Sequence, residues 1–324
     1  MLTKRQMLGG VVGLGLIGPA TRAKDLSGDL APVHDPCIIK DKAVYHLFST
    51  SQLREGGLIV WRTSPDMVTW TLKGHVLREF PKWVTDAVPG TRGAWAPDIA
   101  FVNGRFHLYY SASTFGSNRS VIGLLTSPTL DTSDPAFGWK DEGLVVESDA
   151  HNRYNAIDSN YLIAADGKHW ISFGSFWSGI QLHEADPKTG KPKNRLKKPK
   201  NIASRPMPGA VEAPVIIRRG ALYYLFASYD FCCKGVDSTY YTVVGRSAGV
   251  DGPYIDDTGA KLLDGGGRTV LQADDRWKGP GHCAVFEDEG VHYIVYHAYD
   301  GQAGGRPTLR IQALNWTEDG WPTV

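Results

Sequence analysis

The sequence predicts an all-β protein, a five-bladed β-propeller, and three observations carry that prediction. A stretch of one plan recurs five times: a polar residue, a β-like run, a tight turn and an aromatic-rich second run. Two of the turns are Asn-Gly at 103–104 and Asp-Gly at 166–167, which are strong hairpin signals. No long helical periodicity lies between the strands, which excludes a parallel α/β fold.

Taken in order, residues 1–23 stand apart as an export signal. Lys4 and Arg5 precede an apolar run from Met7 to Ile17, and Ala20 and Ala23 supply the small residues of a cleavage site. The run is too short to span a bilayer, and no cysteine at its end offers a lipid anchor. The expected product is an exported monomer, periplasmic or secreted, with one domain over 24–324. Its five units begin "HDPCIIK" at His34, "APDIAFV" at Ala96, "AIDSNYL" at Ala156, "VEAPVII" at Val211 and "GHCAVFE" at Gly281. Third and fourth strands are readable in "GLIVWRTS" and "TWTLKG", with further third strands in "SVIGLLTS", "YYTVVGRS" and "TLRIQAL". Units of about four strands at a spacing near 60 residues are the mark of propeller blades. A β-sandwich does not explain five matching starts.

The polar anchors are Asp35, Asp98, Asp158, Glu212 and His282. In a propeller the first strand of each blade lines the central channel. A residue just ahead of that strand therefore stands at one mouth, and the repeat gathers all five anchors into a small ring. Converging carboxylates suit two tasks. One is glycosidic cleavage, in which a carboxylic acid protonates the leaving oxygen and a carboxylate activates water. The other is a cage for a hard cation. Aromatic platforms favour a sugar cleft, and Trp95, Phe115, Phe176 and Trp177 are the candidates.

Bulk properties agree. The formal net charge is +1, which gives no reason to expect a nucleic-acid partner, and the 37 glycines and 10 tryptophans suit tight turns and sugar stacking. Four cysteines, Cys37, Cys232, Cys233 and Cys283, are too few for a disulfide scaffold and lack the CxxC spacing of a zinc site. Ring closure would bring the units of Cys37 and Cys283 together, so a bridge between them is an expectation to test. The redox state of the adjacent Cys232 and Cys233 stays open.

The set "HDP", "WAPD", "AIDSN", "GSFWSGI", "VEAP", "DFCCKGVDSTY" and "GPGH", in order from His34 to the terminal "DGWP", closely resembles the arabinanases of glycoside hydrolase family 43. The resemblance implies a five-bladed propeller and endo-acting, inverting hydrolysis of α-1,5-linked L-arabinofuranosyl chains. It also implies the roles: Asp35 as general base, Glu212 as general acid, and Asp158 as the residue that orients the acid and raises its pKa. His282 matches a position near a metal ion, usually calcium. Asp98 is expected to hold the channel wall. "AIDSN" carries Ser159 where many relatives have proline, a departure that leaves Asp158 in place. Inversion needs a water between base and sugar, so the Asp35 and Glu212 carboxyls should lie about 6.5–9.5 Å apart.

Two rivals remain. One is an exo-acting α-L-arabinofuranosidase or β-xylosidase of the same family; the other is a non-catalytic carbohydrate-binding propeller, against which the retained trio argues. One motif stands outside this reading. Seven Lys or Arg lie between 188 and 200 with no acid among them. This is either a solvated loop or a means of attraction to anionic pectin, whose side chains include arabinan.

Overall fold

The computed structural model describes residues 25–52 and 56–324; the expected export segment lies outside the described residues. Five sheets form five blades, antiparallel throughout except that Ser27–Gly28 pairs parallel with Thr69–Leu77 at the edge of the first. Blade I is Cys37–Asp41, Val44–Ser49, Leu58–Ser64 and Thr69–Leu77, and blade II is Gly93–Val102, Arg105–Ala112, Ser120–Ser127 and Lys140–Ser148. Blade III is Asn160–Ile163, His169–Phe173, Ile180–Ala185 and Lys200–Ala203, and blade IV is Val211–Arg219, Leu222–Tyr229, Tyr241–Ser247 and Arg268–Leu271. The first strands touch in sequence, I to II to III to IV to V and back to I, so they close a ring around the channel.

Blade V has three sheet strands, Trp277–Asp288, Val291–Asp300 and Arg306–Ala313. Its outer edge is covered by the N-terminal segment. Leu309 N donates to Leu30 O at 2.9 Å, and Val33 N donates to Pro307 O at 3.0 Å. The start of the described chain thus fastens the last blade to the first. An otherwise open edge strand is thereby covered.

The core is divided among the seams between blades. Five apolar clusters occupy the five seams; that of V and I packs Val33, Leu47 and Trp70 against Val295, Leu309 and Ile311. Interior strands covered on both faces can be apolar throughout rather than alternating. Ser120–Ser127 is accordingly buried at every position.

One expectation needs correction. Cys37 and Cys283 are free thiols, not a bridge, because Cys37 is buried in the seam of blades I and II and Cys283 in that of IV and V. The disulfide joins the neighbours Cys232 and Cys233. At 103–104 both turn residues have positive φ, 50° and 76°, as a two-residue hairpin of type I′ requires. The Asp166-Gly167 turn is longer: the strands end at Ile163 and resume at His169, and Ala164 N pairs with Lys168 O.

Candidate active site

Each blade contributes one left-handed residue at the channel mouth: Asp35 (φ 51°), Ala96 (46°), Asp158 (59°), Ala213 (54°) and His282 (46°). Such a conformation in a residue with a Cβ costs about 1–3 kcal/mol and persists only where the surroundings fix it. All five N–H groups donate to a side chain of the blade before. Asp35 N reaches His297 Nδ1 (3.1 Å), Ala96 N reaches Thr50 Oγ1 (2.8 Å), and Asp158 N reaches Ser111 Oγ (3.1 Å). Ala213 N reaches Asp158 Oδ2 (3.2 Å), and His282 N reaches Ser228 Oγ (2.9 Å). The repeat is therefore a tied, left-handed step. Asp35, Asp158 and His282 occupy it; Glu212 sits one residue before it and Asp98 two after.

Asp35 is buried and surrounded by donors. Its Oδ1 lies 2.7 Å from His34 Nδ1 and 3.1 Å from His282 Nδ1, and Thr50 Oγ1 donates to Oδ2 at 2.6 Å. Burial alone would raise its pKa. The His34 and His282 rings overcome that and hold the carboxyl well below its ordinary 3.8. His282 responds in kind. Burial would lower it, but Asp35 first, then Asp158 and Glu212, push it up to about 9, so it is an imidazolium at neutral pH.

A chain of hydrogen bonds sets His34. Cys233 N donates to Tyr299 Oη (2.7 Å), the phenol is hydrogen-bonded to His34 Nε2 (2.8 Å), and His34 Nδ1–H donates to Asp35. His34 also stacks on His297 with centroids 3.8 Å apart. His297 Nδ1 accepts from Asp35 N, so a neutral ring carries its proton on Nε2, which is buried without a partner. Burial, then the neighbouring His34, holds His297 well below its usual value.

Across the ring the chemistry reverses. Glu212 is half-buried; Ser175 Oγ donates to Oε2 (2.6 Å) and Tyr240 Oη to Oε1 (2.7 Å). Tyr240 fits because residue 281 is glycine: a Cβ there would lie 2.2 Å from the ring. Asp158 is buried and well above its ordinary range, chiefly through burial, with His282 opposing and the charges of Glu212 and Asp35 adding to the rise. Its bond to Ala213 N fixes the backbone directly after Glu212. Asp98 instead crosses to blade III, accepting from Tyr161 N (2.7 Å) and Asn160 Nδ2 (3.4 Å), and burial pushes it up to about 6.

Strands two of each blade run back to the mouth, so the loops after them rim it. Phe115, 86% exposed, and the pair Phe176 and Trp177 stand on such loops of blades II and III. Phe176 and Trp177 are both left-handed (52° and 44°), and the Phe176 ring meets Phe231 of blade IV with centroids 5.8 Å apart. Trp95 is half-buried just before Ala96. The sequence reading missed His34, Thr50, Ser175, Tyr240, His297, Tyr299 and the Cys232–Cys233 disulfide. Several lie at the ends of second strands, where a run such as "YHAY" shows only aromatic richness.

The expected ion beside His282 would be a hard cation. Such an ion takes about six to eight oxygen ligands. His282 Nδ1 is committed to Asp35, and the carboxylates of Asp35, Asp98, Asp158 and Glu212 already accept from protein donors. The described residues whose donor atoms cluster are His34, Asp35 and His297, or His34, Cys232 and Cys233, and neither set includes His282. With Nδ1 on Asp35, His282 would meet an ion on the channel axis through Nε2, and most of the oxygen ligands would come from water.

A propeller mouth that pushes one buried carboxyl well below its ordinary range and another well above it, beside a half-buried glutamate, has the parts of a glycosidase of the acid–base class. The chain belongs to glycosyl hydrolases family 43, whose profile matches residues 31–322. It is 42% identical over 293 residues to the extracellular endo-α-(1→5)-L-arabinanase 1 of Bacillus subtilis, covering 90% of this chain and 87% of that one. Among solved structures it resembles the family 43 endo-arabinanase of Bacillus licheniformis (42% identity, TM-score 0.86, 93% and 100% covered). It resembles equally an exo-1,5-α-L-arabinanase from a bovine ruminal metagenomic library (42%, 0.86, 92% and 98%).

Proposed function

We propose that the protein is an exported enzyme that cleaves internal α-1,5-L-arabinofuranosyl linkages of arabinan with inversion. The observation that carries this reading is the opposed shift of two buried carboxyls in one ring: Asp35 is pushed well below its ordinary range, and Asp158, beside Glu212, well above it. In this reading Asp35 takes a proton from the attacking water. A carboxylate locked between two imidazoles and a hydroxyl stays charged and aimed. Glu212 protonates the leaving oxygen. Its partners Ser175 and Tyr240 are hydroxyls, which can turn from donor to acceptor, so Glu212 can exchange a proton without losing both bonds. Asp158 is a positioning residue that fixes Ala213, the residue directly after Glu212. Trp95, Phe115, Phe176 and Trp177 are proposed to stack on the sugar rings.

Export rests on the basic and apolar start of the sequence. Among the described residues no helix is long and apolar enough to cross a membrane.

The test is a time course on linear arabinan with a xylan control. Mixed oligosaccharides in the first minutes are expected, and proton NMR of the first product should show the inverted anomer. Arabinose or a single short oligomer from the outset would instead favour the exo-acting reading, which has a solved relative of equal identity behind it. Cleavage of xylan alone would contradict both.

A further inference from the structure

A second concave site lies on the face opposite the carboxylate ring. First strands run from the mouth to the hairpins, and Arg105 follows the 103–104 turn, so it stands at the far end of blade II. The loop after Ile180–Ala185 reaches the same end of blade III and is fastened to blade II. Asn103 Nδ2 donates to Pro187 O (2.6 Å), Tyr109 Oη donates to Gly190 O (2.7 Å), and Lys191 Nζ donates to Glu142 O. Between them is a cavity of about 510 Å³.

Its walls are cationic. Arg105, Lys188, Lys191, Lys193 and Arg195 line it against one carboxylate, Glu142. Glu142 is already paired with Lys140 (3.0 Å) and accepts from Thr126 (2.9 Å), and Lys193 pairs with Glu184 (2.8 Å). Lys191 and Arg195 are held by the main-chain carbonyls of Glu142 and Leu144, which anchor the side chains without neutralising them. Burial and then the Arg195 charge push Lys191 below its usual range, so the cations crowd one another. His107, 5% exposed, also lines the cavity and has a buried Nδ1 with no partner. Nothing in the carboxylate chemistry uses any of these groups.

We propose that this cavity is an accessory site for the carboxylates of an acidic polysaccharide, a uronate-bearing chain, which it tethers while the opposite face works on neutral sugar. The choice of a sugar acid rests on the glycosidase reading; the existence of an anion site does not. The cavity exceeds what a small inorganic ion fills and falls within the roughly 300–1,000 Å³ of organic ligand sites. Cations spread along one loop and the neighbouring blade match the spaced charges of a polymer better than one compact dianion. Thr126 and Thr189 add hydroxyl partners for sugar oxygens.

The experiment titrates the protein with oligogalacturonate at low salt, beside an Arg105→Glu/Lys188→Glu variant. Neither residue makes an ion pair among the described residues, so the exchange breaks none. The wild type should bind, the variant at least about tenfold more weakly, and high salt should weaken the wild type toward the variant. Both should share one thermal midpoint and one rate on neutral linear arabinan. Absence of binding at low salt, equal binding by the two proteins, or equal competition by inorganic phosphate at matched charge would overturn the proposal. A protein that binds the uronate oligomer but leaves arabinan intact keeps this site and overturns the catalytic reading instead.

Discussion

Asp35 and Asp158 occupy the same step of the repeat, with nearly the same backbone and burial, yet their carboxyls are pushed in opposite directions. Asp35 is 8% exposed with φ 51°, and Asp158 is 6% exposed with φ 59°. Burial pushes both carboxyls upward. Two imidazoles reverse the outcome at Asp35, whereas Asp158 has two negative neighbours and His282 only partly offsets them. Geometry placed the acids; the residues around them divided the labour. Neither shift follows from position in the fold.

Removing the two proposed reacting groups should have the largest effect. Asp35→Asn and Glu212→Gln are each expected to lower kcat by about 10²–10⁴-fold with little change in KM, measured on linear arabinan. Next come the hydroxyls that set each side. Tyr240→Phe removes a donor to Glu212, and Tyr299→Phe breaks the chain through His34 to Asp35; each should cost about tenfold in kcat. Tyr240→Phe should shift the alkaline limb of the pH–rate profile and Tyr299→Phe the acid limb. A uniform drop across pH would mean that these phenols only pack.

Stability should split along the same line. Asp35 sits below its unfolded value, so its contribution is complete above about pH 4 and lost on acidification. His282 sits at about 9 against 6.5, so its roughly 3 kcal/mol is complete below 6.5 and lost as pH rises through about 9. Asp158 is raised, so its contribution is complete below 3.8 and fades as pH climbs. Thermal midpoints against pH should therefore lose the step near 9 in His282→Gln and fall less steeply with pH in Asp158→Asn. The smallest effect belongs to Asp98→Asn, which keeps an acceptor for Tyr161 N–H and should leave kcat within about threefold.

The five-unit repeat was legible because hairpin turns and paired apolar runs are local signals, and the same repeat brought Asp35, Asp158, Glu212 and His282 together. What the sequence could not display is conformation. Ala96 and Ala213 carry the repeat's left-handed step in blades II and IV, but alanine gives no sign of it, so spacing alone makes Asp98 and Glu212 look equivalent although they lie off by two and by one. His34, Tyr240, His297 and Tyr299 escaped for another reason. Each has a partner far away in sequence, 28 residues between Tyr240 and Glu212 and 265 between His34 and Tyr299. Closure of blade V by Leu30 and Val33 was hidden in the same way, since a segment with almost no strand pattern does the pairing.

The division of roles is tested most directly by changing the leaving group. On dinitrophenyl α-1,5-arabinobioside, whose aglycone needs no proton to depart, Glu212→Ala should recover to near the wild-type rate. Asp35→Ala should remain slower by at least about a hundredfold, because water activation is still required. Equal impairment of the two variants, or recovery of Asp35→Ala alone, would contradict the assignment of acid and base.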